Sequence, residues 1–313
     1  MAGEGTPILT PDAAGIAQAA ALLRAGRLVA LPTETVYGLA ARADSESAVA
    51  AIYRAKGRPD FNPLIVHVGS LEQARGLARL DERAEMLAAR FWPGPLTLVL
   101  PAREGSGIAP AVTAGLPTLA LRMPDHPVMQ RLLEELGLPL AAPSANRSGA
   151  VSPTTPAHVA QAFGPAIAAV LDGGACARGL ESTIVALREA GHWQLLRPGP
   201  IPEAEIAALL GPPVPLENLG IEAPGQMARH YSPGKPVRLE AVDAAPDEYV
   251  IGFGAVAGHC SLSERGDLAL AAARLYACLH LAAASDKPRI AVAPVPREGL
   301  GLAINDRLKR AAA

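Results

Sequence analysis

Several common signatures are missing from this sequence. There is no GxxxxGK[ST] phosphate loop, no GxGxxG after an apolar run, no HExxH and no GxSxG, so P-loop, dinucleotide, zincin and acyl-hydrolase chemistry have no local footing. No stretch reaches the roughly 18 uninterrupted apolar residues of a membrane helix. The opening MAGEGTPILTPD has no basic segment before an apolar core, so the chain is read as cytoplasmic, with no membrane contact. Cysteine is sparse: Cys176, Cys260 and Cys278 are far apart, without CxxC or Cys/His zinc spacing, and are read as reduced thiols in packed positions. Lysine is sparser still for a basic residue, at four positions (56, 235, 287, 309) among 28 cations. Arginine is therefore the default cation, and Lys56, alone before residue 235, is the informative one. Up to residue 210 there are 19 acidic and 17 basic residues, and after it 11 of each, so neither part binds polyanions by bulk charge.

What is present is half apolar and one-fifth charged, punctuated by Gly and Pro, which is the pattern of a folded globular protein of one large or two ordinary domains. From residue 8 to about 211, short β-type runs alternate with amphipathic helices. Helices are expected at 12–25, 45–57, near 70–91, 125–136, 155–163 and 202–211. Strands are expected at 27–32, 64–68, 96–101, 118–123, 139–143, 168–172, 182–187 and 193–198. This predicts a mixed α/β domain built on one large sheet. Residues 212–236 hold six prolines and three glycines and read as a semi-rigid linker. A smaller α/β unit follows over 237–313, with strands at 249–254 and 289–295 and helices at 267–285 and 300–312. About 75 residues is short for independent stability, so docking on the first domain is expected.

Five polar clusters sit at strand or helix ends. PTETVYGLAA (32–41) presents Thr33, Glu34, Thr35 and Tyr37; it can orient a small ligand beyond a strand end or form a turn satisfied by its own hydroxyls. AKGRPDFNPLIVHV (55–68) ends a helix with Lys56 and Arg58, then places Asn62 and His67. The alternative is a pair of helix C-terminal cations and a core histidine. Arg122 in TLALRMPDHP needs an anion, supplied by a salt bridge or by a ligand carboxylate. APSANRSGAVSPT (142–154) offers Ser144, Asn146, Ser148 and Ser152 around a glycine, as a phosphate loop or an ordinary polar surface loop. GLESTIVAL (179–187) and LLRPG (195–199) add Ser182, Thr183 and Arg197. Five such clusters suggest one shared pocket.

In this order LPTETVYGLAA, AKGRPDFNPLIVHV, FWPGPLTLVLPA, LALRMPDHP, APSANRSG, GLESTIVAL and LLRPG resemble the YrdC/Sua5 family across residues 27–199. The linker's RHYSPGKP (229–236) and GLGLAINDRLKRAA (299–312) resemble its longer two-domain form, from which Pro224-Gly225-Gln226-Met227, in place of a PGM-like linker start, and a shortened C-terminal domain depart. The resemblance implies a YrdC-like twisted mixed sheet with helices and a concave cavity over 8–211, a linker over 212–236 and a small Rossmann-like α/β domain over 237–313. It implies L-threonylcarbamoyladenylate synthesis from L-threonine, bicarbonate or CO2 and ATP, with pyrophosphate as second product and Mg2+ on the phosphates. The product would pass to the tRNA threonylcarbamoyl transferase machinery for N6-threonylcarbamoylation of adenosine 37, and direct tRNA contact is a further expectation. By position, the resemblance places Lys56, Arg58, Ser144 and Asn146 in catalysis and Thr35, His67, Arg122, Ala142 and Ser182 on threonine. It places Arg58, Asn62, Thr118, Ser144, Ser152, Arg197 and Tyr231 on ATP. Ala186 stands where the family usually carries an acid.

Two other function classes were weighed. A double-stranded RNA or tRNA binding module would read shape with the concave surface, but near-neutral charge, few lysines and no RNP-like aromatic segment oppose it. A carbamoyl transferase domain of hydrogenase-maturation type is expected to carry zinc-finger and acylphosphatase-like segments, and this chain has neither.

Overall fold

The computed structural model describes residues 5–59, 61–215, 222–225 and 230–313. Gln226, Met227 and Arg229 of the linker segments named above lie outside the described residues. The first unit runs β1 (Ile8–Leu9), α1 (Ala13–Arg24), β2 (Val29–Leu31), β3 (Gly38–Arg42), α2 (Glu46–Lys56), β4 (Ile65–His67), α3 (Leu71–Leu77), α4 (Glu82–Phe91) and β5 (Leu96–Pro101). It continues through α5 (Pro110–Thr113), β6 (Thr118–Arg122), α6 (Pro127–Leu136), β7 (Leu140–Ala141), α7 (Pro156–Phe163), β8 (Ala169–Leu171), β9 (Thr183–Leu187), β10 (Trp193–Arg197) and α8 (Glu203–Leu210). The second unit is β11 (Val237–Arg238), β12 (Glu248–Gly252), β13 (Cys260–Ser261), α9 (Leu268–Ala284), β14 (Arg289–Val292) and α10 (Leu300–Ala312).

The ten strands of the first unit form one mixed sheet in the order β1-β8-β2-β3-β7-β4-β6-β5-β9-β10, and the second unit has a parallel sheet in the order β11-β14-β12-β13. Side chains cap the helix starts: the Asp12 carboxylate accepts from Gly15 N–H, Ser45 Oγ from Ala48 N–H, and Asp267 from Ala269 and Leu270 N–H. The single helix expected near 70–91 is two. Ala78 forms a bridge with Ala102, and Asp81 then caps a new start by accepting from Ala84 N–H. Gly38–Arg42, inside the first polar cluster, is a strand paired antiparallel with β2 and was not anticipated as one. α5 and the short β11 and β13 were likewise not anticipated.

Strand alternation sorts the sheet into faces. Ala30, Leu39, Ala41, Val66, Leu98, Leu121 and Val185 point into the main core under α2, α4 and α7. Val29, Leu31 and Ala40 point the other way, into a core covered by α1 and α6. Across β4, β6, β5 and β9 no helix among the described residues covers that second face. Its floor is Ile65, Val99, Ala120, Ile184, Ala186 and Leu196, joined by Ala223 of the linker. The same parity puts His67, Thr97, Thr118, Arg122 and Ser182 on this uncovered face. Burying the floor under a linker residue while leaving its polar ends open creates a cleft. Ala186 lies wholly buried in that floor, where a carboxylate would need a partner.

The second unit docks where the first is most polar. Val36, Val151 and Leu180, from three loops of the first unit, share a core with Leu275, Tyr276 and Leu279 of α9. Gly179, at φ +68°, allows the approach: a Cβ there would meet the Ala272 carbonyl oxygen at 2.5 Å.

Candidate active site

One cleft lies on the uncovered face, bounded by β4, β6, β7, β9 and β10 and closed on one side by the linker. Thr35, His67, Arg122, Ala142 and Ser182 line it together, as do Arg58, Ser144, Arg197 and Tyr231. Pairing fixes the first group: His67 is opposite Arg122 in the parallel β4–β6 register, so both side chains emerge on the same face. Arg122 is buried. Its Nε donates to the Gly94 carbonyl at 3.2 Å, Nη1 to Thr35 Oγ1 at 2.9 Å and Nη2 to Glu34 Oε1 at 2.6 Å. These bonds engage three of its five N–H groups. The salt bridge to Glu34 is the structural partner the sequence left open, and it holds the guanidinium at the cleft wall.

His67 is buried beside Arg122, and Nδ1 has no hydrogen-bond partner among the described residues. Burial, reinforced by the Arg122 charge, pushes its pKa down to about 3, so at neutral pH the ring is neutral and a poor proton acceptor. Ser182 Oγ shares a 2.7 Å hydrogen bond with Thr97 Oγ1 and accepts from Arg197 Nη2 at 3.0 Å. A β-bulge between Leu195 and Arg197 turns Arg197 into the cleft beside Leu196.

Arg58 follows Gly57, whose left-handed conformation at φ 60° ends α2. Its guanidinium donates to the Asn62 carbonyl at 3.3 Å and the Pro63 carbonyl at 3.0 Å. Burial, together with nearby Arg197, lowers its pKa to about 10. A half-buried and a buried guanidinium, Arg58 and Arg197, facing one cavity create a demand for anionic charge.

Lys56 does not line the cleft. Its ammonium donates to the Ser144 and Asn146 carbonyls, each at 2.5 Å, and to Asn146 Oδ1 at 3.4 Å, so it shapes the 144–146 loop from beneath. Burial, with Arg58 and Arg147 nearby, depresses its pKa, while three oxygen acceptors oppose the loss of charge. Asn146 belongs to the same support: it accepts from Ser144 Oγ at 2.5 Å and donates to the Arg147 and Ala150 carbonyls. Asn62 is buried beneath Arg58 and is not in the lining. Thr118 shares the face of Arg122 but starts the strand, about 13 Å away at an ordinary strand rise. Ser152 is fully buried and donates to Glu181 Oε1 at 2.6 Å.

Glu181 is the residue the sequence reading passed over, although it stands in the quoted GLESTIVAL. It lines the cleft and accepts from Ser152 Oγ, from Tyr276 OH at 2.8 Å and from Arg307 Nε at 2.9 Å, the last two from the second unit. Arg307 and Arg197 outweigh the cost of burial and hold its pKa down to about 2. Arg307 lies 5.5 Å over the Tyr231 ring. Tyr231 is buried at φ +63°, a costly conformation for an aromatic residue, and the contacts with Arg307, Tyr276 and His230 hold it there. Gly225, at φ +87°, passes so near that a Cβ would sit 2.9 Å from Arg197 Cδ. His230 lines the same wall and has an unpartnered Nδ1 among the described residues. Tyr37, by contrast, points away: its hydroxyl bonds to Gly173 N–H and the Gly174 carbonyl.

Among the described residues no group of three or more His, Cys, Asp or Glu is placed to hold a metal ion, and no helix is long and apolar enough to cross a membrane.

Comparison with known proteins agrees with this architecture over both units. A family model described as "Telomere recombination", covering the Sua5, YciO and YrdC group, matches residues 21–199. A second, "Threonylcarbamoyl-AMP synthase, C-terminal domain", matches 201–313. Threonylcarbamoyl-AMP synthase of Bacillus subtilis is 42% identical, with 95% of this chain and 92% of that protein aligned. The Pyrococcus abyssi synthase is 43% identical over 94% of this chain and 92% of its own. The structure of P. abyssi Sua5 complexed with L-threonine superposes with a TM-score of 0.89 at 39% identity, covering 98% of both chains. With both units matched, the chain belongs to the YrdC/Sua5 family in its two-domain form.

Proposed function

We propose that the cleft makes L-threonylcarbamoyladenylate and pyrophosphate from L-threonine, bicarbonate or CO2 and ATP, for threonylcarbamoylation of tRNA adenosine 37. The observation that carries this reading is the convergence of two chemically distinct groups on one wall. At one end lie Arg122, Thr35, His67, Ser182 and the Ala142 backbone, a set suited to a small hydroxylated amino acid. At the other lie Arg58, Ser144, Arg197 and Tyr231, a set suited to phosphate charge and a flat base.

Arg122 faces the threonine carboxylate with the N–H groups that Glu34, Thr35 and Gly94 leave over. The neutral His67 offers Nδ1 to a polar group of the amino acid; with so low a pKa it orients and does not serve as the base. The unprotonated threonine amine adds to the CO2 carbon: the N–C bond forms as one C=O π bond opens onto oxygen, and the nitrogen gives up a proton to water, leaving a carbamate. A carbamate oxygen then attacks the α-phosphorus, a P–O bond forms, the bond to the β-phosphoryl oxygen breaks and pyrophosphate leaves. Arg58, Arg197 and Ser144 hold the charge that gathers on the α-phosphoryl oxygens and the leaving group. Lys56 and Asn146 hold the loop that presents Ser144, and so act by positioning. Thr118, Asn62 and Ser152 are assigned to the nucleotide end, Ser152 through Glu181. Mg2+ arrives with ATP: Glu34 and Glu181 are both committed to arginines, which fits an ion carried by phosphate oxygens and not a protein cage.

The test is pyrophosphate release by the purified full chain with MgATP. Release that requires both L-threonine and bicarbonate is expected. Release independent of threonine, or none at all, refutes the assignment. The protein is then expected to hand its product to the tRNA threonylcarbamoyl transferase machinery.

A further inference from the structure

The second domain carries a separate group of reactive side chains, away from the cleft. β13 lies at the sheet edge, parallel to β12, with Ile251 opposite Cys260 and Gly252 opposite Ser261. The loop after β12 and the turn after β13 wall an open hollow of about 1510 Å³, on whose surface stand His259, Cys260 and Arg274. Cys260 is half-buried there, while Cys278, from α9, is 1% exposed. Cys278 Sγ is 3.8 Å from the Ser261 carbonyl oxygen, which brings it to the backbone beside Cys260, and both cysteines belong to one packed cluster of the domain. Tyr249 packs in the same cluster, and its ring is stacked on His259 at 4.8 Å. Arg274, one turn before Cys278 on α9, adds positive charge to both sulfurs.

We propose that Cys260 and Cys278 form a peroxide-sensitive thiol pair: Cys260 is oxidised from the open hollow, and Cys278 resolves it to a disulfide within the domain. Three features support this division of labour. Cys260 meets solvent and Cys278 does not. Neighbouring Cys278, Tyr249 and the Arg274 charge draw the Cys260 pKa down. Cys176 is an internal contrast, since burial pushes its thiol up to about 12 and no second cysteine is near it.

The chemistry balances with hydrogen peroxide as oxidant. The Cys260 thiolate attacks one peroxide oxygen, an S–O bond forms, the O–O bond breaks and hydroxide leaves, giving a sulfenic acid. Cys278 sulfur then attacks the Cys260 sulfur, the S–O bond breaks and water leaves with the Cys278 proton. Two thiols and one peroxide thus become one disulfide and two waters, and an added dithiol reverses the change. The bond would tie β13 to α9, whose Tyr276 and His280 contact Glu181 and the Ser152 carbonyl two residues to either side of Cys278.

The experiment treats the full-length protein with hydrogen peroxide, blocks remaining thiols by alkylation and maps the unreduced peptides by mass spectrometry. A Cys260–Cys278 linked peptide, with Cys176 alkylated and the link removed by dithiothreitol, is expected. In Cys278→Ser, oxidation should stop at a sulfenic acid trapped by dimedone on Cys260. Before oxidation, Cys260 should alkylate on the order of ten-fold faster than Cys176. Full alkylation of all three thiols after peroxide, a link through Cys176 or between chains, or first labelling at Cys278 would each overturn the proposal. The wild-type peptide map decides the matter even if a variant does not fold.

Discussion

Replacing Glu181 by glutamine and Arg307 by methionine, singly and together, probes the charge pair on which both the cleft and the domain contact depend. Both side chains are buried, the guanidinium fully, and their separation is 2.9 Å. Glu181→Gln keeps an acceptor for Ser152 and Tyr276 but removes the charge facing Arg307 and Arg197. Breaking one partner of a buried pair costs about 3–5 kcal/mol. Arg307→Met should cost less, because the carboxylate keeps two O–H donors and the Arg197 charge. The double variant removes both charges and should be destabilised by less than the sum of the singles, with a coupling of roughly 2 kcal/mol or more. With an m-value of roughly 3 kcal/mol/M, Glu181→Gln alone lowers the urea midpoint of the full chain by about 1 M. The assay is urea unfolding of all four proteins by circular dichroism, with limited proteolysis in the linker as a reporter of undocking. Single effects that add to within about 0.5 kcal/mol would show that the pair is not a coupled unit and refute this account.

Acid should weaken the fold through histidines kept neutral. His67 and His230 have pKa values lowered to about 3, mainly by burial, so between pH 6.5 and that range the unfolded chain binds protons the folded chain does not. Stability is therefore full above pH 6.5 and falls below it, with a slope approaching roughly 2.7 kcal/mol per pH unit for the two. Urea midpoints measured from pH 7.5 to 5 check this, and His67→Asn should remove about half of the slope. Lys56→Met leaves two loop carbonyls unsatisfied and should lower stability by roughly 2–4 kcal/mol along with turnover. Ser144→Ala should lower turnover with little change in thermal midpoint. Equal thermal midpoints for the two variants would contradict the positioning role of Lys56.

Much of the site was legible because its residues stand at strand ends in short, unusual runs. The helix stop at Gly57 and the strand at 65–67 correctly delivered Arg58 and His67 to one neighbourhood. More could have been read from alternation alone. His67, Thr97, Arg122 and Ser182 share parity with Ile65, Val99, Ala120 and Ile184, so an apolar strand face ending in polar atoms was already written in four segments. Lys56 was harder: a cation at a helix terminus looks alike whether it meets phosphate or the carbonyls of a loop 90 residues away. Glu181 was invisible for a related reason. Its partners Tyr276 and Arg307 lie about a hundred residues downstream, and nothing local distinguishes a carboxylate that joins two domains from one that faces solvent. The strand at 38–42 was missed because its polar neighbours drew attention to ligands, while its pairing depends on β2 and β7 together.

The arginine bias of the first domain has a chemical meaning beyond charge. A carbamoyl adenylate is a mixed anhydride, and primary amines are the groups such reagents acylate. Residues 1–234 contain one side-chain amine, that of Lys56, which is 3% exposed and fastened to backbone oxygens. Guanidinium groups stay protonated and offer no free electron pair at neutral pH. A cleft walled with arginine thus grips its anions without presenting a free primary amine to its own acyl donor.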